Sequence, residues 1–152
     1  PLYLNAGDFT GTGPGGPDVG AFQARFRVPP SFTWSNRDAV AQSTRANGVT
    51  LNWTGGDPAT QGITILGGNF DQQSGAGALF VCFADFRPGS FTVPASITQA
   101  LPPSNLQRPD QTIGFLVVGA GPAGDFPTFT APQLDAGYVF FVQFSAMSVV
   151  WR

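Results

Sequence analysis

The sequence predicts an all-β fold, an antiparallel β-sandwich with one short helical turn. Apolar and polar residues alternate with a period of two along most segments, which is the pattern of half-buried strands. Clusters of Gly, Pro, Asn and Asp separate these segments at the short spacing typical of sandwiches. At 152 residues, 42% of them hydrophobic, the chain is long enough to bury a core in one domain.

Alternation is clearest over residues 19–28, where Phe22 and Phe26 share one face while Gln23 and Arg25 share the other. The segment 79–83 is instead apolar on both faces, so we expect it in the centre of a sheet. A single helix of one or two turns is predicted over residues 94–101, because Pro begins it and another Pro follows it. Further strands are predicted over 49–54, 62–66, 91–93, 112–118, 137–144 and 145–151.

The N-terminal segment differs in composition from the rest of the chain. Residues 11–17 contain only Gly, Pro and one Thr, which is the most flexible composition in the sequence. We therefore divide the chain into an arm with a Gly/Pro hinge, residues 1–17, and a β-sandwich domain, residues 18–152. The arm carries the apolar side chains that we predict to contact other molecules: Leu2, Tyr3, Leu4 and Phe9.

The composition argues against several functions. The chain has no His, Lys or Glu, so the residues most used for proton transfer and Schiff-base chemistry are missing, and we predict no catalytic residues and no enzymatic activity. Its seven arginines are scattered, which is unlike a nucleic-acid-binding surface. The uninterrupted apolar runs, such as 78–84 and 138–142, are far shorter than a membrane span. Only 11% of the residues are charged, so charge repulsion opposes contact with other chains only weakly. This favours a partner or an assembly that covers part of the surface.

Two glycine motifs match the letters of a dinucleotide-binding fingerprint. Gly119–Gly124 follows an apolar strand, and Gly11–Gly16 shows the same spacing. The fingerprint needs a helix at its last glycine, but residues 125–130 contain Pro and alternate like a strand. We therefore interpret 119–124 as a hairpin loop and predict no bound cofactor.

The remaining candidates have simpler interpretations. Asp57, Asp71, Asp110 and Asp125 stand in turn contexts, where Asp caps its own backbone, and we predict no metal site; calcium bound by Asp8, Asp57 or Asp71 is the alternative. Cys82 lies in an apolar run and is interpreted as a small buried hydrophobe. Trp53 and Trp151 fall on apolar strand faces. Trp34 follows two prolines in a less regular stretch and is the best candidate for an exposed binding residue.

Several motifs in one order resemble a known family. They are Asp18–Phe22, Phe32–Asn36, Val49–Pro58, Phe80–Cys82, Gly89–Pro94 and Leu134–Val139. The series resembles a C-terminal β-sandwich module repeated across large secreted proteins of acidobacteria. The resemblance covers residues 18 to 152 and implies an immunoglobulin-like sandwich and an extracellular or cell-surface location, but no activity. The Phe-rich final third departs from the family, whose modules are richer in Ser and Thr.

These observations lead to two functional hypotheses. The first is a non-enzymatic extracellular structural protein that self-associates with identical subunits, by adding the segment 2–4 as a strand to a neighbour's sheet edge, into a filament or surface assembly. The second is a polysaccharide- or surface-binding module that uses Trp34 and loop aromatics.

Overall fold

The computed structural model describes residues 4–124 and 126–152. Thirteen strands account for most of the regular structure in this part of the chain. One short α-helix, α1 (Ala95–Thr98), lies where the sequence predicts it, and 3₁₀ turns cover Asp38–Val40, Arg45–Asn47 and Pro109–Gln111. The strands are β1 (Gly7–Gly13), β2 (Phe22–Val28), β3 (Phe32–Trp34), β4 (Gln42–Ser43), β5 (Val49–Gly55), β6 (Gln61–Asp71), β7 (Gly77–Asp85), β8 (Ser90–Val93), β9 (Thr112–Pro122), β10 (Thr128–Phe129), β11 (Gly137–Tyr138), β12 (Gln143–Ser148) and β13 (Val150–Trp151).

Seven strands form the two antiparallel sheets of the sandwich. The larger sheet has the order β12-β9-β6-β7, and the smaller sheet has the order β3-β5-β8. This strand order is that of an immunoglobulin-like sandwich. In it, β7 pairs with β6 in the larger sheet, and β8 pairs with β5 in the smaller sheet. The predicted all-β sandwich is confirmed.

The core lies between these two sheets. Alternate residues of each strand point inward, as the period of two requires, and their side chains form one continuous cluster. A fully buried aliphatic side chain contributes about 1.5–3 kcal/mol relative to an exposed one. Side chains without any exposed surface include Leu51, Ile65, Leu116, Val118 and Trp151.

The N-terminal residues form a hairpin that crosses the predicted boundary between arm and sandwich. β1 pairs with β2 along its whole length, from Gly7 opposite Val28 to Gly13 opposite Phe22. The hairpin packs on the connection between β9 and β12, where the rings of Phe22 and Phe129 stack with centroids 4.8 Å apart. Residues 7–13 are therefore held by the rest of the chain and do not extend as an arm.

Several strand predictions differ from the structure. Residues 137–144 do not form one strand, because β11 ends at Tyr138 and β12 begins at Gln143. β9 continues beyond its predicted end to Pro122, so the predicted glycine loop begins as a strand. β7 lies at the edge of the larger sheet and not in its centre, although both of its faces are apolar.

Candidate interaction surface

The most unusual surface of the molecule is the side of the larger sheet that faces away from the core. Cross-strand register places its side chains in rows, such as Phe144–Gly119–Thr64–Phe83. Three of these side chains are largely exposed, with Phe83 77%, Phe144 64% and Leu79 59% accessible. We call this surface the outer face, and it consists of Thr64, Leu66, Gly68, Phe70, Leu79, Val81, Phe83, Ile113, Phe115, Val117, Gly119, Phe144, Ala146 and Ser148.

The outer face contains no charged side chain. Its polar members are two hydroxyl residues, Thr64 and Ser148, and the nearest carboxylate in the rows, Asp85, stands at the margin. An antiparallel sheet with one face in water normally carries polar residues on that face. Exposed apolar patches larger than a few hundred Å² mark sites of interaction in soluble proteins. The outer face therefore has the composition of an interface.

On the outer face, aromatic rings extend over the glycines of neighbouring strands, so the apolar surface has no gap there. The Phe70 and Phe115 rings stack on neighbouring strands, with centroids 6.3 Å apart and planes 3° from parallel. Phe115 lies opposite Gly68, and a methyl group at that glycine would come within 2.9 Å of the ring. The rings thus fill the space that the glycines leave open.

The two margins of the larger sheet differ in how their backbone is protected. At the β12 margin, the Gln143 side chain bonds the backbone N–H and carbonyl of Phe32, and the Arg37 guanidinium donates to the Ala146 carbonyl at 2.8 Å. Among the described residues, β7 is hydrogen-bonded to β6 alone. Before Asp85, β7 contains no Pro and no charge, the usual devices that block an edge. The edge of β7 is therefore open to another strand.

A cleft of about 800 Å³ adjoins one end of the outer face. Its walls include Phe83 and Phe144 from the sheet and Phe126 and Phe140 from the connection between β9 and β12. The latter two rings pack with centroids 5.0 Å apart. Asp85 and Arg87 also line the cleft and form an ion pair, with Asp85 Oδ2 and Arg87 Nη1 3.8 Å apart. The cleft is thus apolar, with polar groups at one side.

Titratable groups are few and perform structural roles. The Ser74 hydroxyl and the Gln73 N–H donate to the Asp71 carboxylate and hold the pKa of Asp71 below its ordinary value. Asp57 accepts bonds from Ala59 and Thr60 in the same way, so both carboxylates cap turns as predicted. Over residues 4–124 and 126–152, no three potential ligand side chains come together to hold a metal ion. Asp125 lies outside the described residues.

Cys82 lies on the inward side of β7 and packs half-buried against the core. Burial raises the pKa of its thiol, which keeps the thiol protonated and weakly nucleophilic. This environment suits a packing role and agrees with the interpretation from the sequence.

The interaction residues predicted from the sequence do not form one site. Leu4 is exposed just before β1, whereas Phe9 is half-buried within β1 and stacks on Phe26 at 5.8 Å. Leu2 and Tyr3 lie outside the described residues. Phe9 belongs to the two-stranded sheet of β1 and β2, which is separate from the larger sheet.

The prediction that Trp34 is exposed is wrong. Trp34 is 5% accessible, because β3 pairs with β5 and sets Trp34 opposite Trp53 on the core side of the smaller sheet. Its indole N–H donates to Asn36 Oδ1 at 3.0 Å, so the polar atom is satisfied internally. The alternation in Phe32-Thr33-Trp34 was the signal for a strand.

The glycine motif from Gly119 is also placed differently from the prediction. Gly119–Pro122 pair with both β6 and, up to Ala120, β12, so these residues lie within a sheet. No helix follows among residues 123–124 and 126–130, and the motif has no geometry for a dinucleotide phosphate. Gly119 instead allows the close approach of the Phe144 ring.

The described part of the chain contains no helix with the length and apolar character needed to span a membrane. Comparison with known protein families, with characterised proteins and with solved structures finds no match to this chain.

Proposed function

We propose that this chain is a non-enzymatic structural protein that self-associates by strand addition into a filament or surface assembly. The observation that carries the proposal is the open edge of β7, nine residues long, next to an apolar sheet face. Main-chain hydrogen bonds supply affinity when an extended segment joins such an edge. An edge without blocking residues otherwise promotes uncontrolled aggregation, so a specific strand from an identical subunit gives the edge a defined partner.

The donor segment in this proposal is Leu2-Tyr3-Leu4 of an identical subunit. Leu4 is exposed and lies shortly before β1, which begins at Gly7, so its side chain is accessible to another subunit. A contact between the donor of one subunit and the edge of the next is head-to-tail. Such contacts produce rings when their rotation closes and open filaments when it does not.

The proposed location is extracellular or at the cell surface. This rests on the resemblance of residues 18–152 to modules of secreted acidobacterial proteins. The low content of charged residues, 11%, fits a surface that is largely covered in an assembly.

Light scattering after size-exclusion chromatography, together with negative-stain microscopy, tests the proposal. We expect polymers that grow with concentration, and we expect their loss when Leu2 and Leu4 are both changed to Ser. Ala84→Lys places a charge on the inward side of β7 and is expected to block its edge. Ala100→Lys adds the same charge at an exposed position outside β7 and controls for the charge alone, and circular dichroism checks that Ala84→Lys, whose site packs half-buried on the core, remains folded. A chain that remains monomeric at near-millimolar concentration would exclude self-association.

A second candidate function is binding of polysaccharide at the cleft. The connection between β9 and β12 carries three exposed aromatic side chains, Phe126, Tyr138 and Phe140. Aromatic rings stack on sugar faces through their apolar surface. A glycan array compares the parent with Phe140→Ala, and Phe70→Ala serves as the control, because the Phe70 ring is exposed and does not line the cleft. Specific glycan binding that disappears only in the cleft variant would favour this function.

A further inference from the structure

We propose that the outer face packs against the outer face of a second copy of this chain, in a two-fold contact between their larger sheets. The inference rests on the proposed self-association and adds a second, independent contact to it. Strand addition uses the backbone edge of β7, whereas this contact uses side chains across the whole sheet.

The size of the outer face fits a second copy. Its large exposed side chains present on the order of 600 Å² of apolar surface, since a whole aromatic side chain buries about 150–250 Å². That area is at the upper limit of what monomers expose, and a stable interface uses about 800 Å² on each partner. The half-buried residues between them supply the remainder. The large exposed members are Phe70, Leu79, Val81, Phe83, Ile113 and Phe144.

The absence of charge on the outer face also favours an identical partner. In a two-fold contact each residue near the axis meets its own equivalent, so any charge there would be repelled by itself. The outer face has no charge to repel, and Asp85 stands at its margin where water reaches it. Two such faces can therefore be covered without burying an ion.

The alternation of large and small side chains on the outer face allows a second copy to pack closely against it. In the row that contains Thr64 and Gly119, these two small residues lie between the rings of Phe83 and Phe144. The Phe144 ring lies over Gly119, so Thr64 is the one small side chain left between the two rings. Sheets that pack face to face interlock their side chains at a separation of about 10 Å. An apolar side chain of the second copy packs over Thr64, between the two rings.

The two contacts together give a specific architecture. Strand addition is head-to-tail and extends a single row of subunits, whereas face packing is self-complementary and joins subunits in pairs. Their combination produces a filament of two associated rows. Without the donor segment, the face contact alone produces a dimer.

The experiment uses the full chain with Leu2 and Leu4 changed to Ser, which removes the proposed donor but leaves the outer face intact. Sedimentation velocity is expected to detect a dimer. Adding Val81→Lys places a charge midway along β7 on the outer face, where the contact buries it without a partner, so dimer affinity falls at least about 100-fold. Thr33→Lys adds the same charge on the exposed side of the smaller sheet and leaves the dimer unchanged. Circular dichroism confirms that both variants remain folded.

Failure of this inference is distinct from failure of the proposed function. A dimer that persists in Val81→Lys, or a donor-free chain that stays monomeric at near-millimolar concentration, overturns the face contact, while polymers of the parent still support strand addition. A monomer that floats with phosphatidylcholine vesicles also overturns it and assigns the outer face to lipid. Polymers that persist in Ala84→Lys overturn strand addition without affecting the dimer result.

Discussion

The ring of Phe144 occupies the space that a side chain at Gly119 would need. The two residues are directly opposite each other on β12 and β9, and a methyl group at Gly119 would come within 2.6 Å of the ring. An aromatic ring across from a glycine covers backbone that would otherwise be bare. The same relationship recurs in Phe22–Gly13, Phe70–Gly77, Phe80–Gly67, Phe115–Gly68 and Phe129–Gly137.

This relationship links two features of the composition, 15 Phe and 20 Gly. A phenylalanine ring is wider than one strand position, and the facing glycine has no side chain, so the ring extends over it. The pairs lie in the core, on the outer face and in the two-stranded sheets β1-β2 and β10-β11. Part of the Phe and Gly content of this chain therefore belongs to pairs of facing positions.

Gly119→Ala is expected to destabilise the protein by about 1–3 kcal/mol, because the added methyl displaces the Phe144 ring. Phe144→Ala removes the obstacle, so the double variant is expected to be more stable than the sum of the single effects indicates. Urea denaturation of the four proteins measures this coupling. Effects that simply add would show that ring and glycine do not compete for the same space.

Gly48→Ala is expected to destabilise the protein more than Gly75→Ala. Both glycines have φ of 70°, so an alanine at either position carries the cost of a left-handed conformation, about 1–2 kcal/mol. A methyl at Gly48 also comes within 2.5 Å of the Val93 carbonyl oxygen, whereas Gly75 has open space around it. Thermal unfolding compares the pair, and equal losses of stability would contradict the close approach at Gly48.

Trp151→Phe is expected to cost about 1–3 kcal/mol, mainly because a buried hydrogen bond is lost. The Trp151 indole N–H donates to the Gly68 carbonyl at 2.9 Å, and the side chain has no exposed surface. The substitution leaves that carbonyl without its donor. Trp34→Phe is the comparison, because its acceptor is the side chain of Asn36, which still bonds the N–H of Asn52. A smaller loss is expected there in urea denaturation.

Ser74→Ala is expected to raise the pKa of Asp71 towards its ordinary value, because the Ser74 hydroxyl is the main donor that lowers it. The folded pKa lies below the unfolded pKa. The stabilising contribution of the carboxylate is therefore complete above the unfolded pKa and is lost as pH falls through the folded pKa. NMR titration of the carboxyl carbon measures the change, with Ser96→Ala as a control far along the chain. An unchanged Asp71 titration would exclude the hydroxyl as the cause.

The sequence predicts the sandwich well because alternation reports directly on burial at each strand. It fails at residues 79–83 for the same reason, since apolar residues on both faces indicate burial on both faces. In the folded chain the outward residues Leu79, Val81 and Phe83 have no cover. The pattern therefore reports the apolar character of both faces, but it does not report that only the inward face of β7 is covered.

The predictions of an exposed Trp34 and of a glycine loop after Val118 fail for a different reason. Trp34 follows Pro29 and Pro30 in a short irregular stretch and the glycines lie close to one another, so local composition indicates loops there. Pairing with distant strands, β5 for Trp34 and β6 for Gly119, overrides this local preference. The register of those pairings depends on residues far along the chain, which a local pattern does not include.

Changing Leu79, Val81 and Phe83 together to Thr is expected to leave the fold stable. These side chains point away from the core, and β-branched Thr suits an exposed strand position. Fluorescence of the dye ANS, which reports exposed apolar surface, is expected to fall. Phe80→Thr is the matched control on the inward side of β7 and is expected to cost about 3–5 kcal/mol, as for other large-to-small core changes. If the triple variant unfolded as readily as Phe80→Thr, the outward side chains would be part of a buried core, and the outer face would not be a free surface.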